Sequence, residues 1–363
     1  MTITSIEVAV VNYPLHGEFK FFTTAPGQPP GRVTALVKVT TSDGFIGWGQ
    51  SVPSPRWSYE TIDSVTSTLK NYLAPELIGC DPTAIEELNA RMDRVIAGGF
   101  SRGQPIAKAG VDLALWDLRG KIERRRLHEL WKRPTRAAVA LSWTLDPSSI
   151  DHLAEQVNLG HARGYRSFNL KLGRGLDTDI NLIRHLRSLA PNDHLWVDAN
   201  GGLDLDTALA IAPRLADLGV AAIEQPVPGN RISWYQRLKR QRALPILLDE
   251  TIVGATELQE FIALGMLDGV VLKVARSGGL TESLKIAEVA EQAGLMIYGS
   301  GLTDPDISLA ASLQLFAACD LKFAAALNGP QFITETFLRE PIVVCDGEAM
   351  VPTGFGLGVE FSE

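Results

Sequence analysis

Between residues 139 and 328 short apolar runs alternate eight times with turns and helical stretches. The runs are VALSWTL (139–145), SFNLKLG (167–173), HLWVDAN (194–200), AAIEQP (221–226), PILLDE (245–250), GVVLKV (269–274), LMIYGS (295–300) and KFAAALN (322–328). Strands that alternate with helices in this way predict a parallel sheet, closed as a (β/α)8-type barrel or open and doubly wound. Upstream the pattern differs. ITSIEVAVVNY (3–13) and VTALVKVTTSDGFIGWG (33–49) read as antiparallel strands joined by the Pro/Gly-rich TTAPGQPPGR (23–32), with TSDG (41–44) as a hairpin turn. From Tyr59 to Trp131 the spacing becomes helical, IAKAGVDLALWDLRGK (106–121) being the clearest amphipathic stretch. Strands followed by helices predict an α+β unit ahead of the repeating part.

The polar ends of the runs favour the barrel. Asp198, Glu224, Asp249 and Lys273 each close a predicted strand, at intervals of 26, 25 and 24 residues. Each interval is one strand-plus-helix unit, and a barrel gathers the C-terminal ends of its strands at one mouth. In SFNLKLG, Phe168, Leu170 and Leu172 share one face and Asn169 and Lys171 the other. With the apolar face on the helices, Lys171 and Asn169 point inside. A single carboxylate after a strand is usually a helix N-cap. Three in register with two lysines are better read as a site. Clustered carboxylates hold protons unless a cation neutralises them, and an all-oxygen set suits Mg2+, or Mn2+, rather than zinc. An ion there leaves room for a substrate carboxylate, which takes up negative charge when the neighbouring carbon loses its proton to a lysine.

Charge and composition narrow the partners. A net charge of −8 over 363 residues offers no general attraction to nucleic acid or to acidic membranes, so neither is expected. No run of 18 apolar residues occurs, and the first residues show neither a basic n-region nor an apolar h-region, which predicts a cytoplasmic protein. Cys80, Cys319 and Cys345, few and odd in number, argue against a disulfide framework and are expected to be buried. The expected partners are a small carboxylate substrate and further copies of the chain.

The endings NLKLG, WVDAN, IEQP, LLDE and VLKVARSGG, in this order and spacing, resemble the enolase superfamily, in particular the muconate lactonizing enzyme subgroup of the mandelate racemase/muconate lactonizing enzyme family. That resemblance implies an α/β fold: a (β/α)7β TIM-type barrel (131–335) with an N-terminal α+β capping domain (1–130) and a C-terminal segment (336–363) returning to the cap. It implies Asp198, Glu224 and Asp249 as Mg2+ ligands and Lys171 and Lys273 as acid/base residues on opposite sides of the mouth. Asn200 and Glu250 are expected beside the ligands and Asp304 facing the mouth. Phe21, Phe22, Arg56 and Trp57 are placed on cap loops that close over the substrate. One position departs from the subgroup, which usually carries Lys-x-Lys on the second barrel strand: here the first of the pair is Asn169. Relatives that use a His–Asp dyad are set apart, since none of the six histidines ends a strand and His194 opens one. The implied activity is Mg-dependent abstraction of a proton α to a carboxylate, in a racemase, epimerase or cycloisomerase. Two alternatives stand beside it: a syn-dehydratase of a hydroxy acid or hydroxylated imino acid, and a metal-containing binding protein without catalysis.

Overall fold

A computed structural model describes residues 1–22 and 31–362. Most of the predicted Pro/Gly-rich connection, residues 23–30, lies outside the described residues. Strands β1 (Ile3–Pro14), β2 (Gly31–Thr41) and β3 (Ile46–Ser51) form an antiparallel sheet in that order. The β2–β3 turn falls on the predicted TSDG: Gly44 donates to the Thr41 carbonyl at 3.0 Å and takes φ +81°, which only glycine adopts without strain. Gly47 and Gly49 on β3 let a helix lie directly on the strand. A Cβ at Gly49 would stand 1.8 Å from the Gly110 carbonyl oxygen, and one at Gly47 2.3 Å from that of Ala114.

That helix, Pro105–Glu123, differs from its amphipathic prediction, for it is buried on nearly every side. The sheet covers one face and the helix Leu280–Gln292 of the repeating part packs on another. Its polar residues survive burial because each is paired. Lys108 donates to Asp93 at 2.8 Å and to the Ile96 carbonyl at 2.7 Å. Asp112 accepts from the Thr281 amide and hydroxyl at 3.0 and 2.5 Å, which fixes the helix to the repeating part.

After β4 (Ala138–Ala140) come the strands β5 (Trp143–Leu145), β6 (Ser167–Lys171), β7 (His194–Asp198), β8 (Ile223–Glu224), β9 (Ile246–Leu248), β10 (Gly269–Leu272) and β11 (Met296–Gly299). These last seven make one curled parallel sheet in sequence order, each strand followed by a helix. The eighth run, KFAAALN, forms no strand of its own. Only Ala325 and Ala326 pair, in single bridges to Leu141 and Ser300, so the two edges of the sheet meet through three backbone hydrogen bonds of 2.8 Å. Trp196, Ala222, Leu247, Val271, Tyr298 and Ala326 pack together inside the curl, while Phe168, Leu170 and Leu172 belong to the larger core under the helices.

Strand β12 (Val344–Cys345) pairs with β13 (Glu348–Met350), which pairs back onto β4. Beyond them the Leu357 amide donates to Asp117, and Phe361 stacks on Trp48 at 4.8 Å, so this segment touches the first sheet and its helix. Contrary to expectation Cys345 is exposed, because β12 is an edge strand; Cys319 is buried and Cys80 half-buried. No helix among the described residues is long and apolar enough to cross a membrane.

The N-terminus of the helix Pro105–Glu123 is closed by Glu60, whose carboxylate accepts from the Ile106 and Ala107 amides at 2.7 and 3.0 Å. Burial outweighs these donors and pushes the Glu60 carboxyl from 4.5 up to about 7. The folded state therefore binds a proton that the unfolded chain has released; the stabilisation is complete below the unfolded value and lost as pH rises through about 7. Urea unfolding at stepped pH should show wild type losing up to about 3 kcal/mol relative to Glu60→Gln between about pH 5 and 8. Parallel pH profiles for the two proteins would contradict this.

Candidate active site

Period-two geometry builds the site directly on the interior core. Two residues beyond Trp196, Ala222, Leu247 and Val271 stand Asp198, Glu224, Asp249 and Lys273, so each charged side chain rises from the layer above an inward-pointing core residue. Lys171 lies opposite Asp198 and Asp198 opposite Glu224 in the strand registers. All five are at most 4% exposed.

Burial makes their charges interdependent. The Lys171 ammonium contacts Asp198 at 2.5 Å; Lys273 and Arg276 contact the two oxygens of Asp249 at 2.6 and 2.5 Å. Burial would lower the Lys171 pKa, but Asp198 and Glu224 outweigh it and hold the amine above its ordinary value. Asp249 is the reverse case: burial would raise it, yet Arg276 and Lys273 bring it down to about 2. For Glu224 the relief from Lys171 and Lys273 is too small, and burial together with Asp198 and Asp249 raises it well above the ordinary carboxylate range. Glu250, raised to about 7 by burial and by Asp249 and Asp198, shares the Asn200 amide with Asp198 at 2.9 and 3.0 Å. The Asn200 backbone amide also donates to Asp198 at 2.7 Å.

The all-oxygen carboxylate set has the donor chemistry of a site for a hard divalent cation, and the raised Glu224 marks a local excess of negative charge. Among the described residues no group of three or more His, Cys, Asp or Glu side chains stands at metal-holding spacing. Instead, ammonium groups take oxygens of Asp198 and Asp249.

The roof comes from the first 60 residues. The Trp57 ring centroid lies 4.1 Å from the Lys273 amine and 5.5 Å from that of Lys171, within cation–π range of both. Phe21 stacks on Trp57 at 4.4 Å and 7°, and Phe19 meets both rings edge-on. Phe22 packs beside Phe19 and Phe332. Arg56 is exposed. Asp304 is buried, but it accepts from the Leu302 amide and the Ser312 hydroxyl at 3.2 and 3.3 Å near Arg32, bracing the loop after β11 instead of joining the carboxylates. Asn169 lies opposite Trp196 in the register, 1% exposed, and neither polar atom of its amide has a protein partner.

Sequence reasoning missed two cations here. Arg276 sits three residues past Lys273, within the quoted ARSGG, where it reads as part of a turn. Lys20 lies between phenylalanines in FKFF; only the fold brings it near Lys171 and Asp198.

The arrangement has counterparts among known proteins. Residues 5–131 match the N-terminal domain of mandelate racemase / muconate lactonizing enzyme, and residues 152–363 match the enolase C-terminal domain-like family. The chain belongs to the mandelate racemase/muconate lactonizing enzyme family. A chloromuconate cycloisomerase of Cupriavidus necator is 31% identical over 370 residues, covering 99% of this chain and 96% of the relative. An N-succinyl-L-Arg/Lys racemase of Bacillus cereus is 28% identical, covering 92% and 89%. The crystal structure of 2-chloromuconate cycloisomerase from Rhodococcus opacus 1CP superposes with a TM-score of 0.90 at 28% identity, covering 99% of this chain and 97% of that one. These members of the family are isomerases, cycloisomerases and a racemase alike.

Within this family member the Trp57 roof is a packed element. Trp57→Ala should lower unfolding free energy by about 3 to 5 kcal/mol, the usual cost of truncating a buried large aromatic, and Trp57→Phe should cost less. Urea denaturation of both variants measures this; an Ala variant as stable as wild type would mean the ring does not pack as described.

Proposed function

We propose that the protein is an isomerase of the muconate lactonizing type, which exchanges a proton at the carbon α to a substrate carboxylate, as a cycloisomerase or, where a proton returns to the opposite face of that carbon, as a racemase or epimerase. The observation that supports it most is the single indole within reach of two amines. Lys171 ends the second strand of the curled sheet and Lys273 follows the sixth, yet both face Trp57. A substrate carbon held under that ring has an amine on either side. Reading the sheet as a closed (β/α)7β barrel (131–335), with a cap (1–130) and a returning C-terminal segment (336–363), belongs to the same proposal.

Metal dependence comes with the family; the choice of Mg2+, with Mn2+ as substitute, rests on the hard oxygen donors. Asp198, Glu224 and Asp249 would hold the ion. Bound there, it would neutralise the carboxylates and offset the negative charge that develops on a substrate carboxylate. The chain's own residues do the rest. Neutral Lys171 or Lys273 accepts the α-proton at its Nζ, and the ammonium opposite delivers one or balances charge. Arg276, on Asp249, keeps that carboxylate ionised. Asn200 orients Asp198 through its backbone and side-chain amides, and Glu250 fixes Asn200 in turn. Trp57, Phe19 and Phe21 exclude water from the two amines.

Two measurements test this reading. Calorimetric titration of Mg2+ into Asp198→Asn should show affinity reduced by at least the roughly 10- to 100-fold that loss of a supporting partner costs. Unchanged affinity would remove the ion from these carboxylates. For the bases, α-proton exchange in D2O should be followed by NMR over a carboxylate library with Mg2+ present. If two bases act, Lys273→Ala abolishes inversion of a chiral substrate but keeps exchange on the Lys171 face, and Lys171→Ala does the reverse. Full turnover by Lys273→Ala overturns the two-base scheme in favour of a one-base cyclisation or elimination; binding with no exchange in wild type overturns catalysis altogether.

A further inference from the structure

Apart from the mouth, a cleft of about 510 Å3 opens where the segment 98–103 faces the helix Ala255–Ala263, the helix that follows β9. Its volume is that of a small-molecule site. Glu257, Glu260, Phe261 and Leu264 line it at the i, i+3, i+4, i+7 spacing of a single helix face, and Phe100 and Ile232 add apolar surface from other segments. Phe100 is 85% exposed and Leu264 41%, so the cleft has an apolar wall that nothing covers among the described residues.

The charges around this cleft divide into matched and unmatched groups. Asp93 accepts from Lys108 at 2.8 Å and from Arg102 at 3.1 and 3.2 Å, while Glu282 accepts the Ala255 amide at 2.8 Å and has Lys285 and Arg102 at 3.4 and 3.7 Å. Arg102 is held further by the Ser277 carbonyl at 3.2 Å. Glu257 and Glu260 have no cation within ion-pair distance among the described residues. For Glu260, exposed to water, this costs little. Glu257 differs, because it is only 8% exposed and one of its oxygens takes nothing more than the neutral Ser101 hydroxyl. Its Oε2 accepts no hydrogen bond among the described residues. That oxygen lies beside Gly254, where a Cβ would stand 2.7 Å from it, so a residue without a side chain leaves room at the carboxylate. A carboxylate this deeply placed is costly until a counter-charge arrives.

We propose that this cleft binds a small primary alkylammonium or arylalkylammonium ion, with the ammonium on Glu257 Oε2 and Glu260 and the apolar body against Phe100, Phe261 and Leu264. A free carboxylate oxygen calls for an N–H donor, which a quaternary ammonium lacks. Two unmatched carboxylates repel an anion, and an inorganic cation would leave Phe100 and Leu264 in water. The inference stands apart from the reading of the mouth and does not depend on which reaction occurs there.

Saturation-transfer NMR titrations near neutral pH in an amine-free buffer compare hexylamine and phenethylamine with the matching alcohols, on wild type, Glu257→Gln, Glu260→Gln and Phe100→Ala. Wild type should bind each amine about 10- to 100-fold more tightly than its alcohol, the range of one charge-assisted hydrogen bond. Glu257→Gln should bring that ratio near one, and Glu260→Gln, at an exposed position, should lower it about 2- to 5-fold. Phe100→Ala should weaken amine and alcohol alike by about 3- to 10-fold and leave the ratio unchanged. No preference for the amine in wild type, a preference that survives both Gln substitutions, or affinities indifferent to Phe100 overturns the proposal. Tighter binding of Nα-acetyl-lysine N-methylamide than of hexylamine would assign the cleft to a lysine side chain of another protein and overturns it as well. Should Glu257→Gln fail to fold, the substitutions at Glu260 and Phe100, both exposed, decide the matter alone.

Discussion

Burying ionised groups together beneath a packed aromatic roof is the constraint around which this molecule is organised. Asp198, Glu224 and Asp249 face Lys171, Lys273 and Arg276 with almost no access to water, and Glu250 stands half-buried beside them, so no member can change charge without the others responding. Glu224 shows the consequence: among the described residues no cation contacts it directly, and burial with Asp198 and Asp249 holds its pKa well above the ordinary carboxylate range despite Lys171 and Lys273. Such a set is a poor source of stability, since desolvation consumes much of what pairing returns. Its value lies in readiness to exchange internal partners for an ion and a carboxylate ligand.

That readiness needs a dry roof, and the roof is built from elements far away in sequence. Trp57 is held between Phe19 and Phe21 on one side and the Glu60 anchor three residues later on the other. The Glu60 anchor rests on the helix Pro105–Glu123, whose Asp112 is bonded to Thr281 at the start of a helix of the repeating part. A continuous chain of packed and hydrogen-bonded groups thus joins the indole over the lysines to the scaffold that carries them. Gly47 and Gly49 allow the helix to press onto β3, and no larger residue would leave that spacing intact.

Much of this was legible because β-strands have a strict period. Once Phe168, Leu170 and Leu172 are assigned to the helices, Lys171 has to point inward, and the repeated interval then brings Asp198, Glu224, Asp249 and Lys273 to the same level. The alternation fails for KFAAALN, where alanine has little β preference and only two residues pair, between edges that the other strands have already positioned. Asp304 was misleading for a local reason: a carboxylate one turn after a strand serves equally well to brace its own loop, and the Leu302 amide and Ser312 take it. The helix Pro105–Glu123 looks half-exposed in sequence because its charged residues are periodic, but their partners, Asp93, Thr281 and the Leu357 amide, are non-local. Lys20 was hidden for the same reason. Nothing in FKFF indicates that its amine will come near Lys171.

The return of the C-terminal segment has a consequence for how the molecule is made. β13 pairs with β4, the Leu357 amide reaches Asp117, and Phe361 covers Trp48, so groups late in the sequence complete surfaces offered by much earlier ones. On a ribosome that emits the chain from its N-terminus, the first sheet and its helix wait with apolar surface uncovered until residues beyond 338 emerge. The seam at Ala325 and Ala326 appears only shortly before. Assembly is therefore strongly non-local, and the nascent chain passes through a long stage in which a chaperone has more to bind than it finds on the finished protein.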